Sequence, residues 1–114
     1  MHELSIVASL FEIMEAKAQE KGAKKITFVK LKVGKLSGVV PEFLATAFDV
    51  FKKNTMAEEA GLEIEEVPLK VRCKTCGKTM IRDDFVFICL GCGSQDLDTL
   101  SGTELFLEKM ELEI

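Results

Sequence analysis

The first part of the chain has apolar residues at helical spacing. Steps of three and four separate Leu4, Val7, Phe11, Met14 and Ala18. This period places all of them on one face of an α-helix. We therefore predict an amphipathic helix from about Leu4 to Lys21, ended by Gly22.

After Lys25 the apolar period changes to two. Val29, Leu31 and Val33 alternate with Lys30 and Lys32. Such alternation is typical of a strand with one buried and one exposed face. We predict that this strand stops at Gly34 and that a turn or loop follows to Gly38.

A second helix is predicted to begin at Pro41, because proline suits the first helical position, where its missing N–H is no loss. Its apolar stripe consists of Leu44, Ala47, Phe48 and Phe51. The helix should end at Lys52-Lys53-Asn54, and its three Phe are expected to pack in the core.

Two later stretches alternate as strands do, and each slips phase once. In the first, Leu62 and Ile64 are followed by Val67, Leu69 and Val71; in the second, Leu105 and Leu107 are followed by Met110, Leu112 and Ile114. One extra residue at each slip, Glu65-Glu66 and Glu108-Lys109, would keep the same face inward. We predict β-bulges in two neighbouring strands.

The cysteine-containing segment lies between these two stretches and is predicted to be an insertion at the end of a hairpin. The expected fold is α+β, with two helices on a three-stranded sheet and an inserted four-Cys zinc ribbon. Residues 1–71 and 99–114 would form the α/β domain, and residues 72–98 the zinc-binding domain. Four apolar residues would supply the small core of the ribbon: Phe85, Val86, Phe87 and Ile88.

Charge and hydropathy narrow the range of partners and locations. The formal net charge is −4 in 114 residues, which opposes binding to nucleic acid. No basic leader is visible at the start, and no apolar run approaches the roughly 20 residues of a membrane span. We expect a soluble cytoplasmic protein that contacts neither nucleic acid nor membrane.

The four cysteines form two Cys-x-x-Cys-Gly knuckles, Cys73 to Gly77 and Cys89 to Gly93, and twelve residues separate Cys76 from Cys89. This spacing predicts a tetrahedral four-thiolate site on Cys73, Cys76, Cys89 and Cys92. Zn(II) is the expected ion, because it is borderline-soft and accepts four thiolates without strain. Its role would be structural, since four filled positions leave none open for catalysis. A rubredoxin-like iron site and a redox dithiol pair are the alternatives.

Because His2 is the single histidine, any mechanism that needs a His pair or a three-His metal site is excluded. An enzyme is the least expected class of protein. Its position suggests another role. The α-amine of Met1, the imidazole of His2 and the adjacent amide nitrogens of His2 and Glu3 can close small chelate rings around one ion. Square-planar nitrogen ligation of this kind selects Ni(II) or Cu(II) over Zn(II).

Taken together, these motifs resemble the HypA family of hydrogenase nickel-incorporation proteins. The resemblance rests on Met1-His2-Glu3 before a helix, on Val33-Gly34-Lys35-Leu36-Ser37, on both cysteine knuckles, and on Ser101-Gly102-Thr103-Glu104-Leu105 before a terminal strand. It covers essentially the whole chain.

Membership in this family implies a metallochaperone that holds Ni(II) transiently on Met1, His2 and Glu3 and Zn(II) on the four cysteines. It also implies two partners, a GTPase of the HypB type and the precursor of the [NiFe]-hydrogenase large subunit, and a monomer or weak homodimer. The alternative from the residues alone is a zinc-ribbon module that binds protein or nucleic acid without delivering nickel.

The loop before the second helix differs from that of some family members. Those members have an acidic residue there, near the nickel site, whereas this chain reads Gly38-Val39-Val40-Pro41 and has its nearest acid at Glu42.

Overall fold

In the computed structural model, residues 2–82 and 87–114 are described, with the side chain of His2 left out. The helices are α1 (His2–Glu20) and α2 (Pro41–Phe51). The strands are β1 (Lys25–Gly34), β2 (Gly61–Val67), β3 (Leu69–Cys73), β4 (Thr79–Arg82), β5 (Leu97–Ser101) and β6 (Leu105–Glu113). Both helices and β1 lie where the sequence predicts them, and none of the described helices is long and apolar enough to cross a membrane.

The first sheet has the strand order β2-β1-β6, with β2 parallel and β6 antiparallel to the central β1. Both helices pack on one face of it, α1 towards β6 and α2 towards β2. Alternation along β1 buries Val29, Leu31 and Val33 beneath the helices. The ring of Phe11 lies 5.3 Å from that of Phe48 and 5.9 Å from that of Phe51, centroid to centroid. The predicted core role is therefore confirmed for Phe48 and Phe51. It is wrong for Phe43, the third Phe of α2, whose side chain is 61% exposed because it lies off the apolar stripe.

The opposite face of the first sheet has charged side chains in place of a helix. Lys30 Nζ lies 3.4 Å from Glu63, 3.2 Å from Glu65 and 3.4 Å from Glu108. Lys32 Nζ reaches Glu65 at 3.5 Å and Glu108 at 3.6 Å. We call these five residues the charged face of the first sheet.

One of the two predicted bulges is confirmed. Lys30 pairs with Lys109 and Leu31 pairs with Leu107, so Glu108 is an extra residue in β6. The bulge keeps Leu107 and Met110 against the core. It also places the carboxylate of Glu108 between the two lysines of the charged face.

The bulge predicted at Glu65-Glu66 is wrong. β2 pairs with β1 in unbroken register from Gly61 to Val67. The phase slip arises because Pro68, which cannot donate to a ladder, ends β2, and the chain then enters a second sheet as β3. The two strands are not neighbours either, because β1 separates β2 from β6.

The second sheet has the strand order β4-β3-β5 with antiparallel neighbours, and the cysteine knuckles extend from it. Leu69, Val71, Cys73 and Cys89 are buried there. The prediction that Phe87 and Ile88 form the core of the ribbon is wrong, since each is 39% exposed. Phe85 and Val86 lie outside the described residues.

Where the two sheets meet, two of the sequence motifs pack backbone against backbone. The N–H of Gly34 donates to the carbonyl of Glu104 (2.6 Å), and the N–H of Leu36 donates to the carbonyl of Gly102 (2.6 Å). A Cβ on Gly34 would overlap the carbonyl group of Gly102. The hydroxyl of Ser101 donates to the carbonyl of Pro68 (2.8 Å), which joins the two chain crossings between the sheets.

Candidate metal centres

Each cysteine knuckle is a tight turn that points backbone N–H groups at a sulfur. In the first, the N–H of Cys76 donates to Cys73 Sγ (3.4 Å). In the second, the N–H of Gly91 donates to Cys89 Sγ (3.3 Å). Such donors stabilise a thiolate over a thiol.

The glycine after the second cysteine of each knuckle completes the turn. Gly77 has φ +79° and Gly93 has φ +76°. Their N–H groups donate to the carbonyls of Cys73 and Cys89, each at 2.8 Å. Glycine suits both positions, because a residue without a Cβ adopts a positive φ at no steric cost.

The two knuckles bring all four sulfurs together. Cys73 Sγ lies 3.6 Å from Cys92 Sγ, and Cys76 Sγ lies 3.6 Å from Cys89 Sγ. All four Sγ atoms are within 4.8 Å of one another. A tetrahedral zinc with Zn–S bonds of about 2.3 Å has S···S edges of about 3.8 Å. The donor set and its dimensions therefore suit Zn(II).

Without a metal, the thiols of Cys73, Cys89 and Cys92 do not ionise alike. The N–H of Cys76 lowers the pKa of Cys73 to about 6, against the effect of burial. The N–H of Cys92 likewise lowers the pKa of Cys89. The N–H of Ser94 lowers the pKa of Cys92, but the surrounding sulfurs and burial outweigh it and raise that pKa to about 12. A bound cation removes this conflict, because it compensates the charge of all four thiolates.

Polar residues within and beside the knuckles also hold them in position, and the sequence alone did not reveal them. Thr75 Oγ1, inside the first knuckle, lies 2.9 Å from Ser94 Oγ, directly after the second. Lys74 Nζ lies 3.4 Å from Asp98 and 3.7 Å from Asp96. Thr75 and Ser94 occupy different places relative to their knuckles, so the sequence carries no signal of this link.

Arg82 was also missed as a structural residue. It is a buried charged residue, and its Nη1 donates to the carbonyl of Ile88 (3.0 Å). This hydrogen bond ties the end of β4 to the residues just before the second knuckle. An arginine within a short exposed-looking strand has no sequence signal that separates it from a surface arginine.

The three residues predicted to hold nickel lie at the start of the chain. Met1 is outside the described residues, α1 begins at His2, and Glu3 lies half-buried in its first turn. The first N–H groups of a helix have no intrahelical acceptor. The amide nitrogens of His2 and Glu3 are thus not needed for the helical ladder.

Known proteins resemble this chain in family, in sequence and in structure. The family model "Hydrogenase/urease nickel incorporation, metallochaperone, hypA" matches residues 1–112. The hydrogenase maturation factor HypA of Aquifex aeolicus is 44% identical over 114 residues, covering 100% of this chain and 99% of its own. That of Roseiflexus is 45% identical over 114 residues, covering 99% and 93%.

Solved structures agree with this match. The nickel metallochaperone HypA from Helicobacter pylori has a TM-score of 0.68 and 26% identity, with 97% of each chain covered. A second HypA solution structure has a TM-score of 0.71 and 27% identity, covering 98% of this chain and 96% of its own. The chain belongs to the HypA family of hydrogenase and urease nickel-incorporation metallochaperones, and it is a carrier of nickel rather than an enzyme.

Proposed function

We propose that this chain holds Ni(II) on the amine of Met1, the imidazole of His2, the first amide nitrogens and the carboxylate of Glu3. The observation that carries this assignment is the start of α1 at His2. Amide protons at this position can be lost to a metal without breaking an intrahelical hydrogen bond. Loss of these protons and the charge of Glu3 compensate the cation, which the helix dipole alone would disfavour.

Cys73, Cys76, Cys89 and Cys92 hold the second metal, structural Zn(II). Support comes from the 3.6 Å separations in two sulfur pairs and from the N–H donors aimed at Cys73 and Cys89. In this proposal residues 72–98 form the zinc-binding domain, and residues 1–71 and 99–114 form the nickel-binding domain. β3 and β5 cross those boundaries, so the ribbon shares its sheet with the connecting strands.

The location of the nickel site fits a carrier that must release its metal. Its ligands are at a chain end, so a receiving protein can replace them one at a time. An amine with a pKa near 8 and an imidazole near 6.5 must lose protons to bind nickel, so mild acid also favours release. The receiving partners in this proposal are a GTPase of the HypB type and the precursor of the [NiFe]-hydrogenase large subunit. The site of action is the cytoplasm, with the chain as a monomer or weak homodimer.

Nickel titration of the full chain with a free or an acetylated N-terminus tests the terminal site. We expect acetylation and His2→Ala each to abolish tight binding of one Ni(II), because each removes a nitrogen ligand, while the zinc content stays unchanged. Glu12→Ala, on an exposed helical position of α1, is the matched control and should bind as the unmodified chain does. Equal nickel affinity in the acetylated protein would disprove the terminal site. It would also favour a zinc-ribbon binding module.

A further inference from the structure

An apolar groove lies between α1 and β6. Its volume is about 520 Å³, and its floor includes Leu31 and Leu44. On the helix side it is bordered by Ile6, Leu10 and Ile13, and on the strand side by Leu105, Phe106 and Leu107. Ile13 is 48% exposed and Phe106 is 47% exposed. We call this feature the α1–β6 groove.

The strand that borders the groove has an open edge. β6 is the last strand of the β2-β1-β6 sheet and pairs only with β1 among the described residues. The N–H and C=O groups on its other side are available to another strand. Because α1 packs on the β6 side of the sheet, the inward side chains of an added strand would lie in the α1–β6 groove.

The α1–β6 groove is one end of a longer cleft between α1 and β6, which we call the seam. The side chains that line the seam change along its length. Beyond the groove it continues between the end of α1 and the middle of β6. Its lining there consists of the charged Lys17, Glu20, Lys21 and Lys109 and the apolar Leu107, Met110 and Leu112. Lys17 and Leu107 also line the groove. Glu108, also there, is engaged by Lys30 and Lys32. The ammonium groups of Lys17 and Lys21 have no carboxylate within ion-pair distance among the residues that the structure describes. The seam is therefore apolar at one end, and at the other, which we call the basic end, ammonium groups border apolar side chains.

We propose that the α1–β6 groove docks an extended segment of the nickel-receiving protein, which adds a strand to the open edge of β6. This segment has apolar side chains at alternate positions opposite Leu105 and Leu107 and acidic ones opposite Lys17 and Lys21. Residues 105–112 of β6 offer an edge of about 25 Å, enough for about eight extended residues. Main-chain hydrogen bonds would supply affinity, and the two ends of the seam would fix direction.

Docking there would place the receiving protein beside the nickel ligands. Ser5 and Ile6 line the apolar end of the groove, within the first turns of α1 after His2 and Glu3. This step rests on the proposed terminal nickel site, whereas the groove, the open edge and the basic end do not.

A second copy of this chain fits the edge less well. Antiparallel pairing of two β6 strands would set Leu105 and Phe106 of one copy against Lys17 and Lys21 of the other. Apolar side chains would then meet ammonium groups that need an anion, and two chains of net charge −4 would repel each other.

Selection of random eight-residue peptides displayed on phage, against the zinc-loaded full chain, tests the proposal without assuming a partner. We expect enriched peptides with alternate apolar residues and acids at one end. Ile13→Glu, which puts a charge into the groove, should lower the affinity for a selected peptide by about tenfold or more. Val50→Glu is the matched control, since Val50 is an exposed apolar residue of α2 outside the groove, at 59% exposure. It should leave peptide binding unchanged.

Two further measurements make the result decisive. Lys17→Glu combined with Lys21→Glu should reverse the selected charge from acidic to basic, and hydrogen exchange of β6 amides should slow when peptide binds. The proposal would be overturned if no peptides were enriched, or if the enriched peptides had apolar residues at the helical spacing of three and four. It would also be overturned if a folded Ile13→Glu chain bound the selected peptide as tightly as the unmodified chain does. Nickel binding by Ile13→Glu should equal that of the unmodified chain. If neither Ile13→Glu nor the unmodified chain bound nickel at its N-terminus, the proposed nickel site would be rejected, and the result for peptide docking would still hold.

Discussion

At the scale of single residues, the joint between the sheets depends on two glycines. Gly34 ends β1 with its Cα against the backbone of Gly102, and Gly102 has φ +109° with Leu69 directly beside it. Because neither glycine has a side chain, the two backbones approach closely. Three backbone hydrogen bonds cross the joint, and the carbonyls of Val67, Gly102 and Glu104 accept them. The geometry explains why a glycine occupies the end of a strand that otherwise alternates regularly.

We expect Gly34→Ala to lower the free energy of unfolding by about 2 kcal/mol or more, because the added methyl meets backbone atoms that cannot rotate away. Denaturant-induced unfolding of the zinc-loaded chain measures the change. Gly61→Ala is the control, since its methyl would meet only Phe28 Cδ1 at 3.6 Å, and it should change the free energy by less than about 1 kcal/mol. Equal stabilities for the two variants would show that the backbones can move apart.

At the scale of the elements, the charged face explains how a three-stranded sheet keeps one side in water. Lys30 lies at the centre of this face, where the hydrogen bonds that it donates to Glu65 and then Glu63 raise its pKa to about 12. The same contact with Lys30, followed by the charge of Lys32, lowers the pKa of Glu65. Opposite charges on adjacent strands thereby favour the observed register of β2 and β6 on β1.

These shifts predict how stability varies with pH. A carboxylate whose folded pKa is depressed stabilises the fold above its unfolded pKa of about 4.5 and loses that effect as the pH falls through the folded value. Lys30 acts in the opposite range, and its stabilisation fades as the pH rises from 10.5 through about 12. Lys30→Met should therefore flatten the loss of stability below pH 4.5, as seen in unfolding curves.

Lys25→Met serves as the control for this experiment. Lys25 lies on the same strand but has a single exposed partner, Glu59, at 3.5 Å. Its removal should leave the acid part of the stability profile unchanged, because exposed isolated pairs contribute little. Identical profiles for both variants would mean that the charged face does not act as a network.

The extent to which sequence anticipates these elements follows the range of the interactions. Local period and turn chemistry suffice for α1, for β1 and for the positive φ of Gly77 and Gly93. The bulge at Glu108 was also visible as a phase slip. The similar slip at Glu65 was misinterpreted, because a one-residue shift of phase looks the same whether a strand bulges or passes into another sheet. Pro68 favoured the second interpretation.

Features that depend on distant parts of the chain were not predictable in this way. The burial of Arg82, the Thr75–Ser94 contact and the α1–β6 groove each require elements to be placed in space first. The cysteine cluster is the exception, since its ligand spacing encodes a long-range contact directly in the sequence.

At the scale of the whole molecule, the chain forms two sheets that are stabilised in different ways. The first is held by an apolar core under two helices. Among its described residues, the second buries little more than Leu69, Val71, Arg82 and two cysteines. A unit this small needs a further source of stability, which a tetrathiolate metal site supplies.

Removal of zinc by a chelator should therefore disorder the second sheet and leave the first folded. Two-dimensional NMR should show loss of dispersed amide signals from β4 and β5, while those of β1 and α1 persist. Cys73→Ser should give the same spectrum without a chelator, and Thr27→Ser, on an exposed position of β1, should not. Retention of β4 and β5 signals in the metal-free chain would contradict the dependence of this sheet on metal.

The hydrogen bond between Ser101 and Pro68 has a consequence for protein engineering. Because the chain leaves and re-enters the first sheet at points joined by a 2.8 Å contact, everything between them can be exchanged without altering the distance that a linker must span. A short turn could replace the whole excursion, and the excursion could be transplanted onto another scaffold that presents two chain ends equally close. The zinc-binding segment is thus joined to the first sheet at two neighbouring chain crossings, and we expect it to be replaceable as one unit.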